Sequence, residues 1–304
     1  MIFSFMVVPE QTEQEAVILV ESIHTFAGQF ADSQIWALVP NDMGDISLTM
    51  RSRLETNDVT ILPFQIAEAS REFPFAAKVQ ASAEAERYAQ GKTDSLVWLD
   101  VDSIIIQQPD AFVLPPEAQL AFRPVDHTLI GSLFDEPLDE FWTLIYEHCQ
   151  VNLDYVFAMT TSVDEREIRP YFNAGMLVVR PELGLMQAWC EAFLRLFLAD
   201  CFQPFYEQHI LYRIFIHQAV LTGVILAQVN TLNLCELPIQ VNYPLHMHDD
   251  YPAAKRPAVI NELISCRYDT FFQNEGWREK LPANDPLLSW ILERVDDLRL
   301  EIAK

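Results

Sequence analysis

Two aspartates, Asp100 and Asp102, interrupt the apolar stretch "SLVWLDVDSIII" that runs from Ser95 to Ile106. Residues i and i+2 of an extended segment project to the same side, with Cα atoms about 6 to 7 Å apart, so both carboxylates can reach one divalent cation. Two carboxylates this close repel each other unless a cation or a proton neutralises them. The pair is therefore a candidate metal site, and the alternative is a solvated strand end or a turn cap.

A second stretch, "YFNAGMLVVRP", begins at Tyr171 and places small and polar residues directly before an apolar run. Ala174 and Gly175 allow a ligand to approach the backbone closely, and Asn173 offers both a donor and an acceptor to hydroxyl groups. The stretch is a candidate ligand pocket. An edge turn that leads into a core strand is the alternative.

Three strand-helix units precede the acid pair. The expected strands span residues 2–8, 35–40 and 59–64, and the expected helices follow Thr12 or span residues 47–54 and 76–90. Strands that alternate with helices indicate a parallel sheet with helices on both faces. A fourth strand, residues 96–99, ends directly at Asp100, and ligands of such sheets lie outside the carboxyl ends of the strands.

The second half of the chain predicts a mixed arrangement. Strands are expected at residues 118–125, 171–181 and 223–229, with helices at residues 138–149 and 185–198. Asp285 and Pro286 predict the start of a closing helix that runs to Ile302, with an apolar side formed by Leu288, Ile291, Leu292, Val295 and Leu298. The simplest division is one domain, residues 1–250, and a C-terminal helical extension, residues 251–304, that packs on that domain or on a second copy of the chain.

The net charge of the chain limits the classes of molecule that it is expected to bind. Twenty basic against 44 acidic residues give a formal net charge of −24, which repels phosphate backbones and anionic lipid head groups and argues against nucleic acid as a partner. An anionic small molecule would need a cation or a few well-placed Lys and Arg side chains.

The cysteines and the apolar runs of the sequence indicate the cell compartment in which the protein is expected. The five cysteines are widely spaced and include no Cys-x-x-Cys pair, so they predict neither a disulfide framework nor a zinc site, and a reducing cytoplasm fits best. No apolar run is expected to reach the roughly 18 residues of a membrane span.

Only eight glycines occur, and the usual glycine-rich dinucleotide and P-loop motifs are absent.

The motifs together resemble the nucleotide-sugar-dependent glycosyltransferases of the GT-A fold, especially the glycogenin and lipopolysaccharide galactosyltransferase group (family 8-like). An apolar strand that ends in Asp-x-Asp after three strand-helix units, followed by "FNAG", carries the resemblance, which covers residues 1–248. It implies an α/β, GT-A-like (Rossmann-like) mixed sheet that is mainly parallel in its N-terminal half. It also implies a nucleotide-diphosphate sugar donor, with a UDP-sugar as first choice, and an acceptor hydroxyl that the sequence does not identify.

The resemblance also implies a metal site. In that family the paired acids hold Mn²⁺ against the donor diphosphate, and a downstream His completes the site. The corresponding ligands of Mn²⁺ (or Mg²⁺) here are Asp100, Asp102 and His246, with His248 as the second choice for the imidazole. One imidazole and two carboxylates form an acceptable Mn²⁺ set, whereas a lone His is otherwise a hydrogen-bonding residue.

The implied donor site is larger than the metal site. Its members would be Asn173, Ala174 and Gly175 at the sugar, Lys78 and Asp100 at the diphosphate, and Val8 and Pro9 at the base and ribose. For Lys78, the alternative is an ordinary solvated helical cation.

The segment "HQAVLTGVI" resembles the family's Asp-Gln segment. Gln218 carries over and would approach the reacting sugar, while His217 stands where the family has Asp. A retaining reaction would need no dedicated general base. An inverting reaction would need an acid near the acceptor, for which Asp249 or Asp250 could serve. A helix with an ordinary polar face is the alternative for this segment.

Two other functions remain open at this stage. "LDVDSI" also resembles the nucleophile loop of haloacid-dehalogenase-like phosphatases, but that loop normally follows the first core strand and carries a Gly after the second Asp. A GT-A-like domain that binds a nucleotide sugar without catalysis is the other alternative, because His217 departs from the family pattern.

Overall fold

The computed structural model describes residues 1–294. Its strands are β1 (Ile2–Met6), β2 (Gln34–Pro40), β3 (Val59–Phe64), β4 (Leu96–Leu99), β5 (Ser103–Ile105), β6 (Leu120–Pro124), β7 (Met159–Thr160), β8 (Glu167–Ile168), β9 (Phe172–Val179), β10 (Leu234–Glu236), β11 (Tyr243–Pro244) and β12 (Ser265–Arg267). Its helices are α1 (Glu13–Phe26), α2 (Leu48–Thr56), α3 (Ala76–Ala89), α4 (Glu140–Cys149), α5 (Leu185–Leu196), α6 (Gln203–Gln208), α7 (Ile210–Gln228), α8 (Trp277–Lys280) and α9 (Leu287–Leu292).

A seven-stranded sheet forms the centre of the molecule, in the order β10-β6-β9-β4-β1-β2-β3. The pairs among β1, β2, β3 and β4 are parallel, whereas β9 runs antiparallel to both β4 and β6. Helices cover the sheet, and two apolar clusters of buried side chains fill the space on its faces. The predicted mixed sheet, mainly parallel in its N-terminal half, is confirmed.

The antiparallel pairing of β4 with β9 brings the two main sequence motifs together. Leu99, the last residue of β4, lies opposite Met176 of β9. The Asp100 N–H then donates to the carbonyl oxygen of Gly175 at 2.7 Å. The acid pair and "FNAG" are therefore neighbours at one edge of the sheet, although 70 residues separate Asp102 from Asn173.

The expected strand at residues 223–229 is wrong, because most of this segment continues helix α7. An apolar run rich in Val and Ile is compatible with a buried strand or with a helix buried on most sides, and periodicity alone does not separate them. Helix α7 packs on α4, α5 and β9.

By length and composition alone, α7 is the one helix in residues 1–294 that could cross a membrane. This helix is an exception to the expectation that no apolar run reaches the length of a membrane span. Most of it is buried inside the protein, as in the core helix of a folded domain.

The C-terminal extension contains a strand as well as helices. Strand β12 pairs antiparallel with β5, the strand that directly follows the acid pair. Buried residues of the extension, including Trp277 and Ile291, form one apolar cluster with Ile18 and Ile104 of the N-terminal part. Helix α9 covers the first part of the predicted closing helix, and residues 295–304 lie outside the described residues.

Candidate active site

A cavity of about 180 Å³ lies beside the carboxyl end of β4. Six of the predicted site residues line it: Lys78, Asp100, Asn173, Gly175, His217 and Gln218. The other lining residues are Phe75, Val125, Asp126, His127, Leu129, Phe215, Met247 and Arg267. Motifs from four separate parts of the chain thus meet around one space.

Asp100 lies between two cations. Lys78 Nζ is 2.6 Å from Asp100 Oδ1, and Arg267 Nη1 is 3.8 Å from Asp100 Oδ2. The Lys78 side chain is only 8% exposed, so this Lys is not an ordinary solvated helical cation. The chain itself therefore supplies positive charge to the first acid of the pair.

Asp102 follows Asp100 in the turn between β4 and β5. Burial raises the pKa of Asp102 to about 6; the attraction of Arg267 opposes this, and repulsion by Asp100 adds to it. Removal from water therefore disfavours the ionised form of Asp102 more than the charge of Arg267 favours it.

The two candidate histidines differ in their surroundings. His248 is buried, and its Nδ1 lies 3.1 Å from the hydroxyl of Tyr243, so it serves as an internal hydrogen-bonding residue. His246 Nδ1 is also buried, lies 4.0 Å from a carboxylate oxygen of Asp269, and has no hydrogen-bond partner among residues 1–294. Burial lowers the pKa of His246, and the charge of Arg267 lowers it further.

The predicted metal ligands are not assembled as a ligand set. Within the described part of the chain, no group of three or more His, Cys, Asp or Glu side chains is arranged to hold a metal ion. Arg267 instead interacts with all three predicted ligands. Its charge attracts the carboxylates of Asp100 and Asp102, and it lowers the pKa of His246.

Gly175 is required for close packing around the acid pair. A Cβ at this position would lie 2.8 Å from Asp100 Oδ2, 2.9 Å from Asn173 Oδ1 and 3.1 Å from Arg267 Nη1. Asn173 Oδ1 also accepts a hydrogen bond of 2.7 Å from the Gly175 N–H. A side chain at residue 175 would therefore force the ends of these three side chains to shift.

Helix α7 holds the opposite edge of the "FNAG" segment. Gln218 Oε1 accepts a hydrogen bond of 2.9 Å from the Ala174 N–H, and Thr222 Oγ1 accepts one of 3.2 Å from the Phe172 N–H. Residues 218 and 222 lie one turn apart on the same helix face. Gln218 therefore fixes the "FNAG" backbone and lines the cavity at the same time.

His217 is an uncharged ring in this site. Burial lowers the pKa of His217 to about 3, and the charge of Lys78 acts in the same direction. Its Nδ1 lies 2.8 Å from the carbonyl oxygen of Ile214, which can only accept, so Nδ1 carries the proton and Nε2 keeps a lone pair. The ring stacks on Phe75 with 4.5 Å between centroids.

Three predicted donor-site residues do not line the cavity. Ala174 is buried in the core on the other side of β9, because successive side chains of a strand alternate in direction, and it contributes only its backbone N–H. Val8 and Pro9 are buried just after β1, which neighbours β4 in the sheet.

Sequence reasoning missed Arg267, Phe75 and Asp126. Arg267 reaches the site through the β5–β12 pairing across more than 160 residues, for which no local pattern exists. Phe75 has a left-handed backbone with φ of 60°, a strained conformation for a bulky residue that sequence does not reveal. Asp126 follows β6 and accepts a 2.6 Å hydrogen bond from the Tyr251 hydroxyl.

A family model for the Rhodobacterales glycosyltransferase domain matches residues 3–225, which is most of the chain. The chain belongs to this glycosyltransferase family. The match includes all but the first residue of β1, strands β2 to β9, the acid pair, "FNAG" and Gln218. It confirms the predicted enzyme class. The site residues from 226 onward, His246 and Arg267 among them, lie outside the matched range.

Solved structures of glycosyltransferases are similar to this chain. An active-site mutant of LgtC has 12% identity over 88% of this chain and 87% of its own, with a TM-score of 0.54. The galactosyltransferase LgtC in complex with donor and acceptor sugar analogs has 14% identity over 98% of this chain and 95% of its own, with a TM-score of 0.49. The apo structure of the bifunctional glycosyltransferase WbbM has 14% identity over 96% of this chain and 51% of its own, with a TM-score of 0.50.

At 12% and 14% identity, the similarity to the LgtC mutant and to WbbM concerns the fold, which is the GT-A type that the sequence motifs predict. A comparison with curated proteins finds no match.

Proposed function

We propose that this glycosyltransferase moves a sugar from a nucleotide-diphosphate donor to an acceptor hydroxyl. A UDP-sugar is the first choice of donor, and the reaction takes place at the cavity beside β4. The observation that carries the proposal is the meeting of Lys78, Asp100, Asn173 and Gln218 around that cavity. Together they offer charge for a diphosphate and hydrogen-bonding groups for a sugar.

The size of the cavity suits part of a donor. About 180 Å³ is smaller than the roughly 300 to 1,000 Å³ of typical ligand pockets. We assign this space to the donor sugar and the adjacent phosphate. The nucleoside would lie outside it, toward the end of β1 at Val8 and Pro9, which are neighbours of β4 through the parallel β1–β4 pair.

A divalent cation fits the charge of the acid pair, although the ligand set is not assembled. Burial disfavours the ionised form of Asp102 despite the nearby Arg267, and His246 keeps a buried nitrogen without a hydrogen bond in the described residues. Asp100 and Asp102 would hold Mn²⁺ (or Mg²⁺), with His246 as third ligand. When bound, such a cation would neutralise the charge that develops on the leaving diphosphate.

Chain residues supply the rest of the proposed chemistry. Lys78, fixed by its ion pair with Asp100, places a positive charge at the diphosphate. Gln218 and Nε2 of neutral His217 would contact the sugar from the cavity lining, with Nε2 accepting from a sugar hydroxyl. His217 would therefore bind substrate at the position where the family has Asp, without adding a negative charge.

The geometry favours retention of configuration. Asp249 and Asp250, the candidate bases for inversion, are exposed, and neither belongs to the cavity lining. Asp249 Oδ2 also forms a 2.8 Å ion pair with Lys280, and this hydrogen bond lowers the pKa of Asp249, which weakens it as a base. Analysis of the product anomer tests this assignment, and an inverted product would contradict it.

The function itself is tested by ligand-dependent thermal unfolding of the full chain. A panel of nucleotide sugars with and without Mn²⁺ should give a raised melting temperature for one donor. The Asp102→Ala variant should fold and lose this shift, whereas Asp32→Ala, which removes an exposed acid away from the site, should keep it.

The outcomes separate the alternatives. Absence of a shift with every nucleotide sugar would contradict the proposal. Turnover of a generic aryl phosphate that is abolished by Asp100→Asn would favour the phosphatase alternative. Donor binding without transfer to any acceptor or water would favour a non-catalytic role.

A further inference from the structure

Arg267 is a cation of the cavity lining that no sequence motif indicated, and its position is fixed by the backbone. Arg267 of β12 lies opposite Ser103 of β5, one residue after the acid pair. The next residue, Tyr268, donates its N–H to the carbonyl oxygen of Asp102 at 3.0 Å. Hydrogen bonds on both sides therefore hold the Arg267 backbone beside Asp102.

The guanidinium of Arg267 has hydrogen-bonding capacity to spare. Its Nη1 lies 3.8 Å from Asp100 Oδ2, beyond hydrogen-bonding distance, and its Nε is buried without a partner within residues 1–294. Lys78, in contrast, makes a 2.6 Å contact with the other oxygen of Asp100. A guanidinium presents five N–H donors in a fork that matches two phosphate oxygens.

The charged groups around Arg267 decide whether an anion can accept hydrogen bonds from its guanidinium. The carboxylates that act on Arg267 are Asp102, Asp100, Asp126 and Asp269, whereas Lys78 is the other cation of the cavity lining. Because acids outnumber cations, a diphosphate entering alone would be repelled. A cation bound to Asp100 and Asp102 would compete with Arg267 for the same carboxylates and would leave its donors free.

We propose that Arg267 is a binding residue for the donor diphosphate and that, before the donor binds, it serves as the counter-ion of Asp100 and Asp102 and competes there with a divalent cation. This inference rests on the proposed function. It has two consequences of opposite sign: removal of the guanidinium should strengthen metal binding to the nucleotide-free protein and weaken nucleotide diphosphate binding. A residue that only supports the fold would weaken both.

The test compares Arg267→Gln, Arg267→Lys and Arg51→Gln with the unchanged chain. Arg51 is a partly exposed cation that pairs with Glu55 on α2, so its variant makes the same change in net charge away from the site. Calorimetric titration measures Mn²⁺ binding without nucleotide, UDP binding at saturating Mn²⁺, and uridine binding as a probe without phosphate. Thermal unfolding checks the fold of each variant.

We expect Arg267→Gln to weaken UDP binding by about 10- to 100-fold, the range for lost hydrogen bonds to a charged group, and to strengthen Mn²⁺ binding by at least about threefold. Uridine binding should not change. Arg267→Lys should keep the Mn²⁺ affinity near that of the unchanged chain and recover only part of the UDP affinity, because an ammonium lacks the fork. Arg51→Gln should change neither affinity.

Equal UDP affinity in Arg267→Gln and the unchanged chain would overturn this inference and leave the proposed function intact. Weaker binding of both Mn²⁺ and UDP would overturn it in favour of a structural role. An unchanged chain that binds neither UDP nor any other nucleotide diphosphate at saturating Mn²⁺ would overturn the proposed function together with it.

Discussion

At the scale of single residues, the site depends on close contacts among a few polar groups. Gly175 allows Asp100, Asn173 and Arg267 to converge at distances that a Cβ would prevent. His217 lies in the same cavity as an uncharged ring beside the cation Lys78. The first feature depends on the missing side chain of Gly175 and the second on the ring of His217. Each can therefore be tested by one substitution.

Gly175→Ala should damage the site more than the fold. The added methyl group lies 2.8 Å from Asp100 Oδ2 and 2.9 Å from Asn173 Oδ1, so these side chains must shift, and overpacking of this kind costs about 1 to 3 kcal/mol. We expect loss of the nucleotide-induced thermal shift with a modest fall in the free energy of unfolding. Gly276→Ala is the control, because its Cβ would meet only ordinary contacts from 3.4 Å outward. Donor binding by Gly175→Ala equal to that of the control would refute the close-approach argument.

His217 should make the protein sensitive to acid. Its pKa falls from 6.5 to about 3 on folding, so the unfolded chain binds more protons between these values. The stability that depends on the neutral ring is fully present above pH 6.5 and is lost as the pH falls toward 3; it is of order a few kcal/mol. His217→Gln should therefore show a weaker loss of unfolding free energy between pH 6.5 and 4, measured by urea titration. The same pH dependence in both proteins would show that His217 does not control it.

At the scale of elements, two contacts position the site: α7 against β9 and β12 against β5. Gln218 and Thr222 of α7 satisfy backbone N–H groups on β9, and the β12 pairing places Arg267 beside the acid pair. Each contact joins segments that are distant in the chain. The register between these elements therefore decides which side chains face the cavity.

Thr222→Val tests the α7–β9 contact without touching the cavity. Valine keeps the shape of threonine but lacks the oxygen that accepts from the buried Phe172 N–H, and an unsatisfied buried N–H costs about 1 to 3 kcal/mol. We expect this loss in the free energy of unfolding, measured in urea, together with weaker donor binding as "FNAG" shifts. Thr222→Ser keeps the oxygen and is the matched control. A smaller loss for valine than for serine would contradict the role of this hydrogen bond.

At the scale of the whole molecule, the C-terminal extension packs against the N-terminal part of the chain. Trp290 of α9 packs edge-to-face on Phe26 of α1 at 5.4 Å, and Arg294 forms a 2.7 Å ion pair with Glu21 of the same helix. Side chains from both parts also share one apolar cluster. The predicted division at residue 250 stays a prediction, and the contacts across it lead us to expect that both parts unfold together.

Unfolding should proceed in one cooperative transition. Trp277 lies in the extension and Trp98 in the central sheet, and both are buried, so tryptophan fluorescence reports on both parts. We expect urea transitions followed by fluorescence and by far-UV circular dichroism to coincide, also in the Trp277→Phe variant. Two separated transitions would instead support residues 1–250 as an independently stable domain.

The sequence by itself determined the strand-helix order of the first half, the position of the acid pair at a strand end and the motifs that resemble GT-A glycosyltransferases. These features are local, because apolar periodicity and short motifs act over a few residues. Only the tertiary structure decided that 223–229 is mostly helical, that Gln218 holds the "FNAG" backbone and that Arg267 shares the space around the predicted metal ligands. These depend on packing and strand pairing between segments far apart in the chain, which leave no local pattern in the sequence.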